Sequence, residues 1–261
     1  MTAREGAIEL FELFSSVQGE GPHIGESTLF VRTAGCDLRC AWCDSPRTWG
    51  RARTCRVEVA RGSGWFRELP NPVPLEQVLA EAERLEVSRH RMVSLTGGEP
   101  LLQARALAPL ARALRARGPR VLLETHGLHA AALRELLPEV DVVSMDWKLE
   151  SDVRWAPDAG AGRTAFGELH AAFLREARRA PELVVKVVLS PRTAEGELDA
   201  AVEAVAALAP EATLVLQPVT PSGAIRSAPP PEALLAALRR AEERLERVLL
   251  LPQAHRLLGV D

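Results

Sequence analysis

The chain has 261 residues, 47% of them hydrophobic and 26% charged, with a formal net charge of −3. That length suits one large α/β domain or two small ones and is enough to bury a sizeable core, and the composition excludes a disordered chain. The slight acidity excludes a global basic field that would draw the protein to nucleic acid or an anionic membrane, and no apolar run reaches the length of a membrane span. The N-terminal "MTAREGAIELFELF" has acids within its apolar stretch and lacks a small-residue cleavage site, so it does not read as a signal peptide. A cytoplasmic location is expected, where clustered cysteines serve as metal ligands or catalytic groups rather than disulfides. Nearly all basic residues are arginine; Lys148 and Lys186 are the lysines, which reads as a compositional bias.

In chain order, the first predicted strand is "STLFVRTA" (27–34). The segment 46–74 follows the cysteines, holds Trp49 and Trp65 among arginines, glycines and prolines, and shows no helical period, so it reads as a long irregular insertion. From there a helix (75–87), a strand (91–95), a helix (101–117), a strand (120–124), a helix (128–137) and a strand (141–146) alternate. A helix (165–180), a strand (183–189), a helix (195–208), a strand (213–217), a helix (231–246) and a last strand (247–251) complete the series. Several strands are apolar along their whole length, as in a parallel sheet covered by helices. The alternation predicts a β/α barrel or an open doubly wound sheet. Right-handed crossovers bring the strands' C-terminal ends to one face, where such folds build their sites. At those ends stand the cysteines, then "TGGEP" (96–100), "THG" (125–127), "WK" (147–148) and "PVTPSG" (218–223).

Cys36, Cys40 and Cys43 are spaced C-x-x-x-C-x-x-C, with Cys55 further on. Zinc would want a fourth ligand, which Cys55 could supply. Buried apolar cysteines fit poorly beside Asp37, Arg39 and Asp44. Three thiolates on an iron–sulfur cluster would leave one iron open to a chelating ligand. The motif with Trp42 ahead of Cys43 resembles the signature of the radical S-adenosylmethionine superfamily, and "TGGEP" stands where that superfamily binds the methionine amino group. "FSSVQGEGPHIGESTLFVRTAGCDLRCAWCDS", "TGGEPLLQ", "ETHG", "LQP" and the ending "PQAHRLLGVD" resemble, within it, the 7-carboxy-7-deazaguanine synthase family.

The resemblance implies a single radical-type domain over 1–261: a partial (β/α)6 barrel with an insertion after the cluster loop at 46–74 and a tail (247–261) over the active site. It implies a [4Fe–4S] cluster on Cys36, Cys40 and Cys43, S-adenosylmethionine, and Mg²⁺ on Ser45. Val17, Gln18, Gly19, Glu20, Arg32, Thr96 and Asp261 would contact a 6-carboxy-5,6,7,8-tetrahydropterin substrate, with Arg32 forking its carboxylate. Trp42, Asp44, Gly98, Asp146, Trp147, Lys148 and Gln217 to Thr220 (Pro218 and Val219 included) would hold S-adenosylmethionine. His255 reads as a residue that positions the tail or packs in the core, and Cys55 as structural. The implied reaction is radical abstraction of the C6 hydrogen, ring contraction, loss of ammonia and formation of 7-carboxy-7-deazaguanine, for queuosine and related deazapurines. The cofactor supplies the radical, so no side chain is assigned as catalytic. The implied partners are the pterin, an electron donor such as flavodoxin or ferredoxin, and a second copy in a homodimer, with no direct nucleic acid and no membrane. Two alternatives remain at this point: an activating enzyme for a glycyl-radical partner, and a non-enzymatic zinc module using all four cysteines.

Overall fold

A computed structural model describes residues 6–159 and 165–260. Its elements are β1 (Ala7–Ile8), β2 (Leu10–Val17), β3 (Ser27–Thr33), β4 (Leu38–Cys40), β5 (Thr54–Glu58), β6 (Phe66–Pro70), β7 (Val73–Pro74) and α1 (Leu75–Arg84). Next come β8 (Met92–Gly97), α2 (Ala104–Arg115), β9 (Arg120–Thr125), α3 (Ala130–Leu136), β10 (Val142–Asp146), β11 (Val153–Trp155) and α4 (Phe166–Ala177). The last are β12 (Glu182–Leu189), α5 (Glu195–Leu208), β13 (Thr213–Pro218), α6 (Pro231–Glu242), β14 (Val248–Leu250) and α7 (Ala254–Leu258).

Ten strands form one sheet in the order β14-β13-β12-β10-β9-β8-β3-β2-β5-β6. From β3 to β14 every neighbouring pair is parallel. Six full-length parallel strands joined through helices make the expected partial (β/α)6 barrel. Strand periodicity then sorts the side chains. Leu29, Val31, Val93, Leu95, Val121, Leu123, Val143, Met145, Val185 and Val187 join Leu214 and Leu216 under the helices, in one core with Leu107, Leu110, Leu133, Phe173 and Val202. The alternate positions point inward. At one end Met92, Leu122, Val142, Val184 and Val215 meet in a small apolar cluster that floors the barrel.

The segment 46–74 is more regular than its composition suggests. After a turn at Pro46–Trp49, β5 pairs parallel with β2 and β6 folds back antiparallel, so the insertion extends the sheet edge by two strands. Cys55, Val57 and Leu69 turn into the main core, while Arg56 and Glu68 alternate with them on the other face; Arg67, opposite Val57, stays on the core side and pairs with Glu81 of α1. That two-residue alternation is masked in sequence by Arg67, which takes an inner position among the apolar ones. β2, absent from the predicted elements, is the antiparallel partner of β3. Asn71 closes the insertion against β2: its carbonyl accepts the Leu10 N–H at 3.0 Å and its amide donates to the Leu10 carbonyl at 2.6 Å.

Candidate active site

Above the apolar floor the inward positions turn polar. Two residues beyond the floor residues on their strands stand Ser94, Glu124, Ser144, Lys186 and Gln217, and four beyond stand Thr96 and Asp146. A cavity of about 610 Å³ opens over this layer. Glu124 accepts hydrogen bonds from the Ser94 hydroxyl at 2.5 Å and the Gln18 amide at 3.1 Å. Burial, then the charge of Glu20, pushes its carboxyl above the ordinary range. Lys186 bonds the Glu20 carboxylate and lies 3.0 Å from Asp146 Oδ1, while Lys148 meets Asp146 Oδ2 at 2.5 Å. Burial opposes charge on both partners. The two lysines nevertheless bring Asp146 down to about 2, and Asp146 with Glu20 holds Lys186 above the usual lysine range.

The cysteine loop leaves β3 and is braced by the antiparallel pair β4–β11, which matches Cys40 with Val153. Cys36, Cys40 and Cys43 are free and half-buried, and all three line the cavity. Burial pushes the Cys36 thiol up to about 12 and Cys40 to about 11. Cys55 sits 2% exposed in the core with Val57 and Leu69, and it does not line the cavity. Three thiols on one loop with an open side toward the cavity fit a cluster with one iron left for a chelating ligand. They do not make a four-cysteine zinc site.

The glycines of "TGGEP" are required by close packing. A Cβ on Gly98 would lie 2.2 Å from the Gly35 carbonyl and 2.9 Å from the Cys36 Cβ. Gly97 has φ +140°, and a Cβ there would strike the Thr33 backbone at 2.3 Å. This loop therefore lies directly on the cluster loop, held by Gly98 N–H to Thr33 O at 3.1 Å and Glu99 N–H to Gly35 O at 2.8 Å. Glu99 is fully buried. Its carboxylate is occupied by the Leu101 N–H, the Thr125 hydroxyl and the His126 N–H. The carboxylate is thus a brace between loops. On the far side of the cysteine loop, Asp37 is gripped by His126 at 2.8 Å and His129 at 3.0 Å. Burial would raise its pKa, but the two imidazoles hold it well below the carboxylate range. Lys148 Nζ stands over the Trp42 ring at 4.6 Å.

On the opposite wall, Val17, Gln18, Gly19 and Glu20 line the cavity with Arg32 and Thr96. Arg32 does meet an internal acid: its Nε donates to Glu12 Oε1 at 2.9 Å, and Glu12 Oε2 is 3.6 Å from Arg56. Glu12 pairs in register with both Arg32 and Arg56, so one carboxylate sits between two guanidiniums on the cavity side of the sheet. The tail folds over this wall. Ala254 N–H donates to Gly19 O at 2.8 Å, Gln253 donates to Glu20 Oε1 at 2.6 Å, and Arg256 comes within 3.6 Å of Asp44. Gly19 must be glycine here, since a Cβ would fall 2.0 Å from His255 Nδ1. Ser45 makes no capping bond to the turn it precedes; its hydroxyl donates to Asp44 Oδ1 at 2.7 Å.

Not every expected residue faces the cavity. Trp147 is buried on the other side of its strand end, stacked on His170 with ring centroids 4.7 Å apart, so only its backbone could serve a ligand. Pro218, Val219 and Thr220 do not line the cavity either; Val219 packs with Val188 and Ile225 beneath Trp42. Asp261 lies outside the described residues. Among the cavity-lining residues absent from the sequence-based set are Glu124, Lys186, Gln253 and Arg256. The signal for the first two was present, because a charged residue inside an apolar central strand must face the barrel interior.

The Radical SAM superfamily model matches residues 30–152. The chain is 38% identical over 256 residues to the 7-carboxy-7-deazaguanine synthase of Geobacter sulfurreducens, covering 96% of this chain and 97% of that one. It is 31% identical over 250 residues to the enzyme of that name from Methanocaldococcus jannaschii, covering 95% and 98%. The crystal structure of QueE from Escherichia coli has the same fold, with TM-score 0.62 at 22% identity over 94% of this chain and 93% of that one. Relatives this similar over nearly the whole chain, with the three-cysteine loop inside the matched segment, place the protein in its family: it belongs to the 7-carboxy-7-deazaguanine synthases of the radical S-adenosylmethionine superfamily.

Proposed function

We propose that the protein converts 6-carboxy-5,6,7,8-tetrahydropterin to 7-carboxy-7-deazaguanine with loss of ammonia, in queuosine and related deazapurine biosynthesis. One observation supports this most: a single cavity joins the three-cysteine loop to a polar wall that carries Gln18, Glu20 and Arg32. Substrate and product differ by the elements of ammonia, so the reaction needs no net oxidant. Cys36, Cys40 and Cys43 would hold a [4Fe–4S] cluster, with Gly98, Trp42, Asp44, Asp146, Lys148 and Gln217 around S-adenosylmethionine. When bound, that pair supplies a hydrogen-abstracting radical.

The chain's own work is positioning. Gln18 and Glu20 offer a donor and an acceptor to the pterin edge, Thr96 adds a hydroxyl, and Val17 and Gly19 contribute backbone groups. Glu12 holds the Nε edge of Arg32, which leaves the terminal nitrogens to fork the substrate carboxylate and fix C6. Ser45 and substrate oxygens would share Mg²⁺; one hydroxyl is too little for the ion by itself. The tail from 247 to 260 would close the wall and exclude water, with the strand-forming insertion 46–74 extending the same single domain. The protein acts in the cytoplasm as a homodimer, supplied with electrons by a flavodoxin or ferredoxin. Substrate deuterated at C6 tests the positioning: deuterium should appear in 5′-deoxyadenosine. Label retained in the pterin while 5′-deoxyadenosine forms would refute C6 as the reacting carbon.

A further inference from the structure

Of the 32 basic residues, only Lys148 and Lys186 are lysines, and both end up in the wall of this one cavity. Compositional bias does not explain that placement. Everywhere on the surface arginine serves, but at these two buried points the chain has an ammonium. The difference is physical. A guanidinium is a broad planar fork, whereas an ammonium is a compact charge with three donors that can point at groups on separate strands.

Lys186 uses that geometry. It rises from the middle of β12, bonds the Glu20 carboxylate on the substrate wall, and lies 3.0 Å from Asp146 Oδ1 at the end of β10. Asp146 has a second cation, Lys148, at 2.5 Å, and Lys148 reaches Trp42 in the cysteine loop. Glu20 has none besides Lys186 among the described residues; its other oxygen accepts the Gln217 amide at 3.2 Å and the Gln253 amide at 2.6 Å. One row of contacts therefore runs Trp42, Lys148, Asp146, Lys186, Glu20, Gln253, from the cysteine loop to the tail. Charges alternate along it, with Glu124 beside its substrate end.

We infer that Lys186 is a positioning residue for the reaction, the one cation among the described residues that pairs with Glu20 and aims it at the pterin while tying it to the cofactor side through Asp146. This rests on the proposed function above, in which Glu20 meets the substrate and Asp146 the cofactor. The row is asymmetric, and the asymmetry makes the inference testable. Without Lys186, Asp146 keeps Lys148, but Glu20 is left as a partly buried carboxylate near Glu124 with no cation among the described residues. The substrate side should fail and the cofactor side should hold.

The experiment compares wild type, Lys186→Met, Lys186→Arg and Glu20→Gln, each reconstituted with its cluster. Four quantities are measured: affinity for S-adenosylmethionine, KM for the pterin, kcat, and the ratio of 5′-deoxyadenosine to deazaguanine product. Lys186→Met should raise the pterin KM by about thirtyfold or more, as for a buried charge pair that loses one member. The ratio of 5′-deoxyadenosine to product should rise severalfold as roughly positioned substrate escapes abstraction. Affinity for S-adenosylmethionine should stay within about threefold, because Asp146 retains a partner. Lys186→Arg keeps the charge and guards against misfolding; it too should raise KM and the ratio. Glu20→Gln should shift the same quantities in the same direction. Failure of wild type to convert the pterin would refute the proposed function instead. If wild type turns over and either lysine variant keeps its KM and its ratio, or loses S-adenosylmethionine binding with pterin binding intact, the positioning role is overturned.

Discussion

Replacing Arg32 with Lys keeps a positive charge on β3 and removes the fork. In the structure the Arg32 side chain is 20% exposed, donates from Nε to Glu12 at 2.9 Å, and lies 5.5 Å from the Phe14 ring. A lysine could satisfy Glu12 or a substrate carboxylate, but not both in one plane. The lost interaction is that of a partly desolvated charge pair deprived of one partner, about 2–5 kcal/mol. That corresponds to roughly thirtyfold to several-thousandfold weaker pterin binding. Arg32→Ala should lose at least as much. Glu12→Gln should lose less, since it loosens the guanidinium without removing it. Because Arg32 is not part of the cysteine loop, cluster content and S-adenosylmethionine binding should survive in all three variants. The assay is pterin binding by calorimetry beside iron content and 5′-deoxyadenosine formation. If the variants bind pterin like wild type and lose iron instead, Arg32 is a structural residue and the substrate carboxylate has another partner.

Cys36→Ala, Cys40→Ala or Cys43→Ala should abolish the cluster's visible absorbance, whereas Cys55→Ala, a change inside the hydrophobic core, should leave about four irons per chain. Cluster loss in Cys55→Ala alone would contradict the three-cysteine assignment. Ser45→Ala should blunt stimulation of turnover by Mg²⁺; an unchanged response would leave Ser45 without a metal role. His170 has both ring nitrogens engaged, Nε2 accepting the Lys148 N–H at 2.9 Å and Nδ1 facing the Gly127 carbonyl at 3.0 Å; burial, the main cause, lowers its pKa to about 3. The unfolded chain therefore takes up this proton first, and stability should fall as pH drops from about 6.5 toward about 3, with the contribution complete above that window. Urea unfolding across this range should show a shallower decline in His170→Gln, and an identical decline would show that other groups govern it.

Much of this was legible in the chain because the physics is local. "LVVKVVL" reads as a buried strand from its β-branched run, and "EGELDAAVEAVAAL" as a helix that the structure places at Glu195–Leu208. The cysteine spacing and "TGGEP" carry the cluster side because each is a short contiguous motif, although the loops they form meet at Gly98 and Gly35, more than sixty positions apart. The substrate side was harder to read. Gln253 and Arg256 reach the cavity only because the tail crosses over Gly19, a contact between residues more than two hundred positions apart. Lys186 was visible as a lone charge in an apolar strand, but its meaning depends on Glu20 and Asp146 arriving from other strands. The β5–β6 hairpin was obscured because Arg67 shares the inward face with Cys55, Val57 and Leu69 and so breaks the apolar alternation. Trp147 follows Asp146 directly, yet strand alternation turns it onto His170 and away from the cavity.

The central claim is tested most directly by turnover of the anaerobically reconstituted protein with dithionite, S-adenosylmethionine, Mg²⁺ and 6-carboxy-5,6,7,8-tetrahydropterin. Equal amounts of 7-carboxy-7-deazaguanine and ammonia should form, and neither should form when S-adenosylmethionine is omitted or when Cys36 is replaced by alanine. A protein that carries its four irons, cleaves S-adenosylmethionine and leaves the pterin unchanged would contradict the account.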